Sequence, residues 1–170
     1  MRLLVIGNSG SGKSTLARRM SQAEGLPLLD LDAIVWEPGK IAVQRPMADV
    51  CLDLDAFLDA NDRWVVEGCY GDLAAHAAPR CTRLLFLNPG IEACVAHNTH
   101  RPWEPHKYAS KDAQDAMLDT LQQWVRGYGE RDDAWSLRAH RALFDAHAGD
   151  KRELVDPAAI AAYPAACPAD

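Results

Sequence analysis

The 170-residue chain has no run near the roughly 20 consecutive apolar residues of a membrane span, no CxxC pair among its five cysteines and no excess of basic charge. The opening MRLLVIGNSG turns to Gly and Asn too early for a signal peptide, so a cytoplasmic chain without a membrane partner is expected. Cys51, Cys69, Cys81, Cys94 and Cys167 are odd in number and scattered, which suggests neither a disulfide framework nor a zinc site and predicts reduced thiols. A net charge of −6 argues against sequence-independent coating of nucleic acid, which needs a broad basic surface. Internal repeats, low-complexity blocks and a domain linker are also missing. One domain over residues 1–170 is expected, with a lid candidate at 101–110.

What is there begins with Arg2–Ile6, a continuous apolar run ended by glycines that suits a strand buried on both faces. A helix is expected from Gly12 to about Glu24, then a strand over 28–30 and a loop from Trp36 to Pro46, which holds Pro38 and Gly39. Met47, Val50, Cys51, Leu54, Phe57 and Leu58 recur at spacings of three and four and predict a helix over 47–60. Strands follow at 63–67 and 83–87, a helix at 91–100 and a loop from Arg101 to Tyr108. Further helices are predicted at 111–128 and 137–147, and a last strand at 153–155. Asp156-Pro157 matches an N-cap followed by proline at the first helical position. Strands alternating with helices imply an α/β architecture with a five-stranded, mostly parallel sheet covered on both faces. Ligands gather at the carboxyl ends of such strands.

At the end of the first strand stands Gly7-Asn8-Ser9-Gly10-Ser11-Gly12-Lys13-Ser14, a full G-x-x-x-x-G-K-[ST] match placed between a strand and a helix. Glycines let backbone N–H groups turn inward around a β-phosphate, Lys13 reaches the β and γ oxygens, and Ser14 can ligate Mg²⁺. Gly7, Asn8, Ser9, Gly10, Ser11, Gly12, Lys13, Ser14 and Thr15 are therefore the expected nucleotide-binding set. The next strand ends in Leu29-Asp30-Leu31-Asp32, and acids at i and i+2 share a side if the strand continues regularly. One carboxylate can then support Mg²⁺ while the other orients an attacking hydroxyl, although Asp32 also suits a helix cap. Glu67 ends the third strand, where it can bind Mg²⁺ through water, orient an acceptor or act as a base. The metal set is thus Ser14, Asp30 and Glu67.

These residues resemble the small P-loop kinases, the superfamily of shikimate kinase, gluconate kinase and the nucleoside monophosphate kinases. The resemblance implies a P-loop NTPase three-layer sandwich with a short lid. Asp30-x-Asp32 is similar to the shikimate-kinase arrangement, in which the first Asp supports the metal and the second binds the acceptor hydroxyl. Arg101-Pro102 looks like the start of the kinase lid, which makes Arg101 a candidate for stabilising the γ-phosphate. Asp32…Trp36-x-Pro-Gly39, Glu67-Gly68-Cys69-Tyr70 and Leu84–Leu87 resemble bacterial proteins described as adenylate-kinase-related or DNA topology-modulation-type. After the third strand the chain departs from shikimate kinases, with Glu67-Gly-Cys-Tyr-Gly71 where those carry a glycine-rich segment. The lid candidate Arg101-Pro-Trp-Glu-Pro-His-Lys107 is also more compact than the arginine-rich lid of adenylate kinases.

The implied activity is transfer of the γ-phosphoryl group of ATP, with Mg²⁺, to a hydroxyl or phosphate of a small, nucleoside-like acceptor. Lys13, Asp32 and Arg101 would carry the chemistry. Trp36, Tyr70 and Trp103 offer rings that stack on a base, or serve as core and lid hinge, while Trp124 falls on a core spacing. With Asp32, Arg45 and Glu67 the rings complete the acceptor set. Arg80, Arg126 and Arg131 offer further guanidinium forks. Five of the six histidines and seven of the eighteen Lys and Arg fall between residues 97 and 147, so substrate contacts are sought there. Two other functions fit: a kinase acting on a hydroxymethylated pyrimidine in DNA, which the charge disfavours, and a nucleotide-binding regulatory ATPase working through a partner.

Overall fold

The computed structural model describes residues 1–40, 43–104 and 108–166. Ile41 and Ala42 of the predicted loop, Pro105, His106 and Lys107 of the lid candidate, and Cys167 lie outside the described residues. Strands β1 (Arg2–Gly7), β2 (Leu28–Asp30), β3 (Trp64–Gly68), β4 (Arg83–Leu87) and β5 (Asp150–Leu154) form one sheet in the order β2-β3-β1-β4-β5. Every neighbouring pair is parallel, so all five carboxyl ends lie along one edge. Continuous apolar runs make the central strands because both faces are covered. Leu3–Ile6, Val65, Val66 and Leu84–Leu87 are fully buried.

Of the helices α1 (Lys13–Glu24), the short α2 (Asp32–Val35), α3 (Met47–Ala60), α4 (Gly71–Ala77) and α5 (Ile91–Thr99), the first, third and fifth fall where helices are expected, and α2 and α4 are additional short helices. One face of the sheet packs Leu4, Ile6, Val66, Leu84 and Phe86 against α3 and α4, joined by Leu143 and Phe144 of a later helix. The other packs Leu3, Val5, Val65, Leu85 and Leu87 against Leu16, Ala17 and Met20 of α1. A third, small core joins Cys94 and Val95 to Val125 beyond the edge of the sheet.

Three boundaries differ from expectation. The predicted helix over 111–128 is two, α6 (Lys111–Ala116) and α7 (Leu118–Arg126), followed by a 3₁₀ turn at Gly127–Gly129. At the junction Met117 donates to the Gln114 carbonyl three residues back, a tighter bond than the helical ladder provides. After α8 (Leu137–Ala146), the last strand starts three residues earlier than predicted, because Asp150–Leu154 pairs with β4 in full register. The strand-like alternation from Asp30 to Asp32 also fails: β2 stops at Asp30 and Asp32 opens α2. In α9 (Pro157–Ala162), Asp156 accepts from the amides of Ala158 and Ala159, the predicted cap. No helix among the described residues is long and apolar enough to cross a membrane.

Candidate active site

The loop from Gly7 to Gly12 joins β1 to α1 and closes on itself. Ser11 donates its amide to the Asn8 carbonyl at 3.2 Å, and Ser9 donates its amide to Asn8 Oδ1 at 2.8 Å. Lys13 is 8% exposed, and its Nζ donates to the Asn8 carbonyl at 2.8 Å, so the ammonium spans the mouth of the loop. Ser11 Oγ is buried with no hydrogen-bond partner among the described residues, inside a loop lined with amides. An orphaned donor there fits an anion whose oxygens the loop is shaped to receive. Thr15 is exposed in the first turn of α1.

Glycine is required in this loop by close approach. A Cβ at Gly10, where φ is +79°, would lie 2.3 Å from the Cys94 carbonyl and 2.5 Å from Asn98 Nδ2. One at Gly7 would lie 2.3 Å from the Leu87 carbonyl. The first contact lets α5 press against the phosphate loop. There Asn98, 3% exposed, accepts from Ser9 Oγ at 3.4 Å and donates to the Cys94 carbonyl at 3.0 Å. His97 Nδ1 donates to the Gly10 carbonyl at 2.8 Å, and Asn8 Nδ2 donates to the Val125 carbonyl of α7 at 3.1 Å. Asn98 was not on the sequence-derived list. The signal was available, because Ile91, Cys94, Val95 and Asn98 sit at spacings of three and four and place a polar amide on the buried stripe of α5.

The acids meet beside this loop. Glu67 pairs in register with Asp30 on one side and Val5 on the other, which directs its side chain to the α1 face. It is 2% exposed and hydrogen-bonded by Ser14. Burial pushes the Glu67 carboxyl up to about 7, Lys13 opposes the rise, and Asp30 and Asp32 add to it. Asp30 Oδ1 accepts the Asp32 amide at 2.9 Å, so Asp30 caps the turn that aims Asp32. The structure thus brings Lys13, Ser14, Asp30, Asp32 and Glu67 together.

Beyond Asp32 lies an aromatic wall. Tyr70 is 3% exposed, so it is not an open stacking platform. Its hydroxyl donates to Asp32 Oδ1 at 2.5 Å, and burial and that carboxylate both hold the phenol protonated. Trp36 and Trp135, both half-buried, meet the Tyr70 ring edge-on, each at 6.3 Å between centroids. Trp135 was missed because it follows an irregular stretch with no periodicity to read. Behind this wall His140, fully buried, donates from Nε2 to the Cys69 carbonyl at 3.0 Å and accepts from the Tyr128 hydroxyl at 2.6 Å at Nδ1. Burial lowers its pKa to about 4, so it is a neutral structural link.

Other candidates are drawn elsewhere. Arg45 donates to the Ile34 carbonyl at 2.8 Å and to Asp53 at 2.6 Å, which fastens α2 to α3. Arg101 follows α5 and pairs with Glu104 at 2.8 Å, within the lid arm rather than over the phosphate loop. Trp103 is 45% exposed and donates to the Tyr108 carbonyl, which keeps it in the arm's own fold. Arg131 stacks over Trp124 at 3.9 Å and donates to the carbonyls of Trp124 and Trp135. Arg80 pairs with Asp59 and Arg126 with Glu92.

The donors near Lys13 are a hydroxyl and carboxylates, the hard oxygen set that Mg²⁺ takes. No group of three or more His, Cys, Asp or Glu among the described residues forms a metal cage. Mg²⁺ needs none, since waters and substrate phosphates supply most of its shell. Ser14, Asp30 and Glu67 therefore fit a Mg²⁺ that arrives with a nucleotide.

An unliganded sugar kinase from Janibacter sp. HTCC2649 is similar to this chain with a TM-score of 0.50 and 18% identity, over 91% of this chain and 84% of that one. A gluconokinase from Sinorhizobium meliloti 1021 matches with a TM-score of 0.49 and 20% identity, over 93% and 85%. An uncharacterised protein from Eubacterium ventriosum ATCC 27560 gives 0.42 and 17%, over 91% and 90%. The chain shares the fold of that Janibacter sugar kinase. No family model and no curated protein matches the chain.

Proposed function

We propose that the protein is an ATP- and Mg²⁺-dependent phosphotransferase acting on a small acceptor that offers a hydroxyl or a phosphate. The observation that carries this reading is the convergence of Lys13, Ser14 and Glu67 at the phosphate loop with Asp32 facing them from α2. A loop that only binds nucleotide has no use for a second carboxylate set against an aromatic wall. The sugar kinase fold of the Janibacter protein agrees with it.

The loop amides and Lys13 hold the β- and γ-phosphates, and Lys13 leaves the Asn8 carbonyl to do so. Ser14, with Asp30 and Glu67 behind it, would hold a Mg²⁺ brought in with the nucleotide, which would supply neutralisation of phosphate charge. Asp32, oriented by Tyr70, accepts the proton of the acceptor hydroxyl as its oxygen attacks the γ-phosphorus. The new O–P bond forms as the bond from the γ-phosphorus to the bridging β oxygen breaks, and ADP leaves. Arg101 reaches the γ-phosphate only if it exchanges Glu104 for it. Incubation with ATP and Mg²⁺ across sugars, sugar acids, nucleosides, nucleotides and hydroxymethylated DNA, read by mass spectrometry, should give one phosphorylated class. Lys13→Ala should abolish that product while leaving the unfolding curve in place; full turnover by this variant refutes the reading.

A further inference from the structure

Tyr70, which donates to Asp32 Oδ1, owes its aim to its two chain neighbours. The Cys69 carbonyl before it accepts from His140 Nε2 at 3.0 Å, and the Gly71 amide after it donates to the Ala134 carbonyl at 2.8 Å. A Cβ at Gly71 would lie 2.4 Å from that carbonyl, so this close approach requires glycine. Both holds come from one stretch, Ala134 into the first turn of α8, and that stretch is itself fixed. Ser136, fully buried, accepts the Ala139 amide and donates to the Asp133 carbonyl at 2.7 Å, while Arg131 donates to the Trp135 carbonyl at 2.8 Å. The Tyr128 hydroxyl donates to His140 Nδ1 at 2.6 Å, which selects the tautomer whose Nε2 carries the proton. Phe86 meets the same ring edge-on at 6.0 Å and limits its tilt. His140 and Tyr128 are buried, so neither reaches a nucleotide or an acceptor. Their hydrogen bonds nevertheless end, two steps on, at the carboxylate that faces the phosphate loop.

We propose that His140 is a positioning residue for phosphoryl transfer: through the Cys69 carbonyl it sets Tyr70, and through Tyr70 it sets the Asp32 carboxylate that receives the acceptor proton. This rests on the phosphotransferase reading for the role of Asp32. What the position needs is an N–H donor aimed at the Cys69 carbonyl, beyond a side chain that fills the space. A small displacement of a proton-accepting group costs rate, because the reacting atoms must be aligned as the bond forms. The nucleotide is held on the other side, by the phosphate loop, so its binding does not depend on this series.

The test uses the full chain at pH 8, with urea unfolding run first to establish that each variant is folded. In the proton NMR spectrum the buried Tyr70 hydroxyl gives a slowly exchanging downfield signal, assigned by its absence from Tyr70→Phe. His140→Leu removes the donor and should move that signal upfield or lose it to exchange with water. His140→Gln, whose side-chain amide can donate from about where Nε2 stood, should restore it. Initial rates with ATP, Mg²⁺ and the panel of sugars, sugar acids, nucleosides, nucleotides and hydroxymethylated DNA should follow the signal. In His140→Leu, kcat falls on the order of tenfold with the KM for ATP unchanged, and His140→Gln regains most of the loss. An unmoved Tyr70 signal in folded His140→Leu overturns the proposal, and so does a His140→Gln variant no better than His140→Leu. If His140→Leu does not fold, Tyr128→Phe decides: it removes only the hydroxyl that orients the ring, and an unmoved Tyr70 signal there overturns the proposal equally. Should the wild-type protein give no product from any panel member, the phosphotransferase reading falls, and the Tyr70 signal still decides whether His140 positions Asp32.

Discussion

His140 provides a direct check on the buried network behind the aromatic wall. The Cys69 carbonyl can only accept, so His140 Nε2 carries the proton and Nδ1 accepts from Tyr128, an arrangement that only the neutral ring satisfies. Protonation would place a charge in a buried site and oblige the Tyr128 hydroxyl to turn round and accept from Nδ1. With the pKa lowered from 6.5 to about 4, the unfolded chain binds more protons than the native one between those values. Stability from this group is therefore complete above 6.5 and is lost as pH falls to about 4. The loss is about 3 kcal/mol in full and about 2 kcal/mol by pH 5. Glu67 acts with the opposite sign: its carboxyl, raised from 4.5 to about 7, makes stability fall as pH rises through that window. The two slopes nearly cancel in the wild-type protein, so its own pH curve is uninformative and a difference is needed. Urea unfolding of wild type and His140→Gln at pH 8 and pH 5, in EDTA, supplies it. At pH 8 the variant should be less stable by about 1–3 kcal/mol, the cost of leaving a buried partner unsatisfied. At pH 5 that gap should narrow by about 2 kcal/mol. A gap independent of pH would refute the neutral buried link.

The companion variant Glu67→Gln should gain up to about 3 kcal/mol over wild type at pH 8 and nothing at pH 4, read as the same difference in urea midpoints with EDTA present. Gly10→Ala forces a Cβ against the Cys94 carbonyl at a positive φ and should cost roughly 2–5 kcal/mol; an unfolding curve close to wild type would mean that α5 does not press on the loop. Tyr70→Phe removes the donor to Asp32 while keeping the ring, and should lower kcat on the order of tenfold with the KM for ATP unchanged; a rise in the KM for ATP alone would place Tyr70 on the nucleotide side.

What could be read from the sequence were the features whose physics is local. A run such as Leu3–Ile6 has to be covered on both faces, and the glycine-lysine-serine loop after it needs only that strand and the following helix to define its shape. Asp30 and Asp32 were found as a pair for a reason the structure does not support. They converge because Asp30 ends β2 and caps the turn into α2, a device that alternation along a strand does not describe. Arg45 and Arg101 show the limit most plainly. A guanidinium goes to whichever carboxylate the fold brings near, and Asp53 and Glu104 lie eight and three residues further along the chain. Composition reports that arginines are present; only packing reports that they are spent. The same packing turns Tyr70 from an expected stacking surface into a buried donor that holds Asp32.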